Sequence, residues 1–169
     1  MEGIMNALLL GLGVFIFTTT ALFVLKNLIG GSITTNAWKP NVPYTRLVSE
    51  SIKFTGSFLA DNNIKKYPPF KIYYYKHRKF AGVFNTEVVI YLKSNPDIPS
   101  LVNTVLHEVM HYAQSQTDKQ YKHYHEFTDK YGYWKNPFEI QARAWAAQNC
   151  DSCIRYLAEK QLIIKHVNL

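Results

Sequence analysis

The sequence predicts an α+β domain held behind a single transmembrane helix, and three observations predict it. Residues 4–25 carry no charged side chain. Residues 70–75, 80–84 and 87–92 are rich in the aromatic and β-branched side chains that favour strands. Apolar residues from Leu101 to Ala113 recur at the spacing of an amphipathic helix, and Asn136-Pro137 marks the start of another. The expected organisation of the 169 residues is an anchor over 1–29, a linker over 30–43 and one folded domain over 44–169.

The anchor follows from length. The 22 uncharged residues, at about 1.5 Å rise each, span roughly 33 Å, close to a hydrocarbon core of about 30 Å. Gly11 and Gly13 are tolerable in a membrane helix, and Thr18 to Thr20 can bond back to its carbonyls. A cleaved signal peptide would want a positive leader, yet only Glu2 precedes the run. The expected partner of residues 4–25 is therefore a lipid bilayer, crossed once. Lys26, Lys39 and Arg46 follow the span and no lysine or arginine precedes it. The positive-inside rule places the C-terminal domain on the cytoplasmic (or virion-interior) side.

Residues 30–43 are rich in Gly, Ser, Thr, Asn and Pro and read as a linker. Pro43 can start a helix in which Tyr44, Leu47, Val48, Ile52, Thr55, Phe58 and Leu59 share a face, with Asn62 and Asn63 at its end. The three strands come next, the first two as a hairpin. A turn at 95–99 precedes a helix with Ser100 as its expected N-cap. Residues 116–135 read as irregular structure or a short helix. Asn136 and Pro137 then cap and open a helix expected to run to about Asn149, followed by a separate helical stretch over 154–164.

The formal charge is +7, from 19 basic and 12 acidic residues. Such a surface favours anionic partners, but the densest stretch (Lys71, Lys76, His77, Arg78 and Lys79) falls in the expected hairpin turn with no nucleic-acid motif beside it. No specific nucleic-acid partner is expected. Cys150 and Cys153 are too few for a disulfide framework and lack a second pair for a four-thiolate site, so they read as helix-end thiols.

The chemistry lies in residues 107–111, His-Glu-Val-Met-His. Residues four apart share a helix face, so His107 and His111 can offer two imidazoles to one ion. Glu108 is turned aside but stays close enough to hold a water as general base. Catalytic zinc takes three protein ligands and leaves a position open. Glu139 is the leading third ligand, 28 residues after His111 in Asn-Pro-Phe-Glu-Ile-Gln-Ala-Arg. Asp129, His123 and His125 are rivals for that place. Glu139 also has plainer uses, as an N3 capping-box residue after Asn136 or as a partner of Arg143 one turn on.

The pattern His107-Glu-Val-Met-His-Tyr-Ala-Gln114 followed by Asn136-Pro-Phe-Glu-Ile-Gln-Ala-Arg143 resembles the gluzincin branch of the zincin metallopeptidases, especially small phage and bacterial ones. The resemblance runs from the strands to the Glu139 helix. It implies antiparallel strands packed on the motif helix, Zn2+ held by His107, His111 and Glu139, and Glu108 as base. Gln114 stands where a metzincin would have glycine. The expected activity is hydrolysis of a peptide or protein substrate, with a tyrosine from 121–133 assisting and the 87–92 strand offering an edge for strand addition. Two other classes fit the same residues: a structural membrane protein, as in a membrane-containing virus particle, and a basic tethered binding module. A cell-wall peptide hydrolase would stay within the zinc class.

Overall fold

The computed structural model describes residues 38–165. The expected membrane span, 4–25, lies outside them. No helix among the described residues is long and apolar enough to cross a membrane. The described part is α+β: five short strands and five α-helices, with 3-10 turns between them.

The chain enters through β1 (Trp38–Pro40), inside the stretch expected to be linker. Two helices follow, α1 (Tyr44–Phe54) and α2 (Gly56–Asp61), where the spacing suggested one. The break sits at Thr55, whose hydroxyl turns back to the Ile52 carbonyl at 2.7 Å. At Gly56 a Cβ would stand 2.5 Å from the Tyr67 hydroxyl, so a larger residue there would displace the exposed Tyr67 ring.

Three strands form one sheet: β2 (Phe70–Tyr73), β3 (Gly82–Phe84) and β4 (Val88–Tyr91). Their order is β2-β4-β3, with β2 parallel and β3 antiparallel to β4. This corrects two expectations. The first two strands do not form a hairpin with each other, so the basic stretch at 76–79 is a crossing loop; its His77 ring stacks on Tyr91 at 4.6 Å. The sheet is mixed rather than antiparallel. The physical reason lies in β4: Val88 and Ile90 are buried, so the most apolar strand takes the centre. Both its edges are used, and strand addition at 87–92 is ruled out.

A 3-10 turn (Leu92–Ser94) leads to α3 (Ile98–Thr117), which carries the histidine motif. Its N-cap is Asp97, not Ser100; the Asp97 carboxylate accepts from the Ser100 N–H at 2.7 Å, and Pro99 fits the first turn. Leu101, Val102, Val105, Leu106, Val109 and Ala113 are buried along one face. Short helical turns then bracket α4 (Tyr124–Tyr131), ending at Tyr133–Lys135.

The last helix, α5 (Pro137–Glu159), runs unbroken through the point where two helices were expected. Asn149 bonds back to the Trp145 carbonyl at 2.8 Å, and Cys153, Ile154 and Leu157 are all core residues. Burial here overrides the weak helix propensity of Asn-Cys-Asp-Ser. The two cysteines thus lie within the helix, Cys153 buried and Cys150 partly so, with burial pushing the Cys153 thiol up to about 12. The rest of the expected second helix is a turn over 160–162 and then β5 (Ile163–Lys165), antiparallel to β1.

Helices α3 and α5 are antiparallel neighbours. Gln114 bonds to Phe138 and Gln141 at one end, and Cys150 meets the Pro99 carbonyl at the other. The small buried side chains of Ala142 and Ala146 let the helices approach closely. That packing brings the first turn of α5 beside the third and fourth turns of α3, where the histidines are.

Candidate metal centre

Helix α3 presents His107 and His111 one turn apart, their rings edge to face at 4.7 Å. Their Nε2 atoms are 3.0 Å from each other. Glu139, on the first turn of α5, points both carboxylate oxygens at them: Oε1 is 3.0 Å from His111 Nε2, and Oε2 is 3.3 Å from His107 Nε2. These donor atoms form a cluster able to hold a metal ion. Ligands at 2.0–2.1 Å in tetrahedral array lie about 3.3 Å apart, so the donor set and its spacing fit zinc.

Glu139 is 2% exposed. Burial resists its charge, but hydrogen bonds from His107, His111 and Tyr124 hold its pKa far below the usual carboxylate range. The Tyr124 hydroxyl donates to Oε1 at 2.5 Å, and Arg143 approaches Oε2 at 3.4 Å. Burial also opposes a charge on His111, yet Glu139 and Glu108 together raise its pKa. The plainer cap role of Glu139 is not used: Asn136 N–H bonds to the Tyr133 carbonyl instead. The Asn136 side chain does cap α5, accepting from the Phe138 N–H at 3.0 Å.

Glu108 lies beside the cluster and is 5% exposed. Burial pushes its carboxyl up to about 8; His111 pulls down, Glu139 pushes up, and the Phe84 N–H pulls down. It faces β3, where a Cβ on Gly82 would come within 3.0 Å of Glu108 Cγ and 2.6 Å of Thr104 Cγ2. Glycine at 82 makes room for the carboxyl. The bonds Asn85 N–H to Glu87 O and Tyr91 N–H to Ala81 O turn odd-numbered residues of this strand toward β4. Gly82 and Phe84 therefore direct their backbone groups outward, at an edge no other strand covers among the described residues.

The rivals stay outside the cluster. Asp129 and His125 are exposed, and His123 pairs with Glu126 at 2.8 Å. Within 121–133, burial and the Glu139 charge push the Tyr121, Tyr124 and Tyr133 hydroxyls above their ordinary pKa. A cavity of about 790 Å³ opens by Trp38, Tyr44, Tyr74 and Asp97 and contains none of the four motif residues. Sequence reasoning passed over Gln114, which is 3% exposed and touches His111. Its position one turn after His111, on the same helix face, was the available signal.

The chain matches no protein-family model, no curated protein and no solved structure.

Proposed function

We propose that the chain is a membrane-tethered zinc metallopeptidase of gluzincin-like construction. One observation carries the reading: His107, His111 and Glu139 bring three donor atoms within 4.8 Å of one another, with a buried Glu108 beside them. Zinc held there supplies a Lewis acid that lowers the pKa of water toward about 7 and polarises a carbonyl. Glu108 takes the proton of the attacking water and passes it to the leaving amine. Beside Glu108, which takes the Phe84 N–H, the unpaired edge of β3 leaves the Gly82 groups and the Phe84 carbonyl for an extended peptide. The uncharged run 4–25 supports attachment to a bilayer, with the domain on the cytoplasmic or virion-interior side. A purely structural role gives no reason for a carboxyl buried at position 108.

The test is digestion of a mixed peptide substrate by the full-length chain and by Glu108→Gln. Zinc content should be equal, and hydrolysis should fall by about 10²–10⁴-fold in the variant. Equal hydrolysis by the two proteins refutes the assignment.

A further inference from the structure

We infer that Gln114 is a positioning residue that decides which nitrogen of His111 faces the metal centre. The inference rests on the zinc reading above for its functional meaning, but its geometry stands alone. One group beside Gln114 has a fixed role. The Phe138 carbonyl can only accept, and Gln114 Nε2 lies 3.0 Å from it. The amide nitrogen therefore faces α5, where it also donates to Gln141 Oε1 at 2.9 Å. A flipped amide would set oxygen against oxygen at the Phe138 carbonyl.

With its nitrogen so placed, Gln114 Oε1 must face His111, and it lies 2.8 Å from Nδ1. An amide oxygen only accepts, so Nδ1 carries the proton. With Nδ1 holding its proton against Gln114, Nε2 is the nitrogen left to ligate a metal; without one it donates to Glu139 Oε1 at 3.0 Å and lies 3.0 Å from His107 Nε2. One backbone carbonyl of the Glu139 helix thus sets the tautomer of a ligand on the neighbouring helix, through one side chain. His107 has no such device: nothing among the described residues bonds its Nδ1. Gln141 is exposed and its own amide can turn to suit, so it is an adjunct and not the determinant.

The test uses the full-length chain, with Gln114→Leu, Gln114→Glu and Gln141→Leu beside the wild type. Two quantities are read: zinc affinity by competition with a chelator, and the exchange rate of the His111 Nδ1 proton by NMR of ring-labelled, metal-free protein. Gln114→Leu should bind zinc about 10–100-fold more weakly and lose the slowly exchanging proton. Gln114→Glu, protonated at this buried position, donates to the Phe138 carbonyl as the amide did and still accepts from Nδ1, so it should retain that proton and stay within about threefold of wild-type affinity. Gln141→Leu should match the wild type in both. A protected Nδ1 proton in Gln114→Leu overturns the inference, as does its loss in Gln114→Glu. If the wild type binds no zinc, the metallopeptidase reading fails, while the proton measurement still decides the role of Gln114. If Gln114→Leu does not fold, the proton in Gln114→Glu decides it.

Discussion

Glu139 is the residue on which the site depends most. A buried carboxylate is costly unless several partners surround it, and here His107, His111, Tyr124 and Arg143 share its two oxygens. Tyr124 gives the shortest of these bonds and holds Oε1 toward His111. Tyr124→Phe removes that one hydroxyl and leaves the ring packed near Phe138. The variant should fold normally and bind zinc about 10-fold more weakly, measured by chelator competition. His107, Glu108 and His111 were legible in the sequence because one helix sets their spacing. Glu139 was legible because Asn136-Pro137 marks where its helix starts. Tyr124 was visible only as one of several tyrosines, and Gln114 only as a departure from another family. Their contacts join elements 15 and 24 residues apart in sequence, which local periodicity does not encode.

At the scale of elements, the start of α5 is the hinge of the arrangement. Asn136 is fully buried, caps the helix through Phe138, and donates to the Tyr124 carbonyl at 3.1 Å and the Thr128 hydroxyl at 2.8 Å. It ties the helix bearing Glu139 to the one bearing Tyr124. Asn136→Ala loses the cap and both ties to α4, whose Thr128 hydroxyl and Tyr124 carbonyl keep their bond to each other, so it should cost about 1–2 kcal/mol in denaturant unfolding. The Asn-Pro signal for this start is local, and the sequence carries it. The continuation of α5 to Glu159 is not a local matter, since Cys153, Ile154 and Leu157 are held by the core. The sheet order was hidden for the same reason. Strand character is written in residues 70–92, but β2 and β3 each choose β4 over one another through long-range packing.

At the scale of the whole domain, its two ends are fastened together. β1 pairs with β5, and Asn41 bonds through its N–H and side chain to the Leu162 and Gln161 carbonyls. Nearby, Glu50 on α1 receives Lys53 at 2.7 Å, Lys160 at 2.9 Å and the Tyr156 hydroxyl at 3.2 Å. The hydrogen bonds from Lys53 and Lys160 lower the Glu50 pKa to about 2 from 4.5. A depressed carboxylate adds stability above its unfolded pKa and loses it as pH falls through the folded one. Thermal unfolding should therefore show a loss of stability between pH 4.5 and about 2. Glu50→Gln should flatten that slope and lower stability at neutral pH by about 1 kcal/mol, since solvent screens the exposed lysine ends. An unchanged slope would remove Glu50 from the acid response.

The central claim is that His107 and His111 of one helix and Glu139 of its neighbour form one zinc site. The most direct measurement is the zinc content of the full-length chain after metal loading and exhaustive dialysis, for the wild type beside Glu139→Ala. The account predicts close to one zinc per wild-type chain and almost none in the variant. Equal zinc in the two proteins, or none in the wild type, contradicts it.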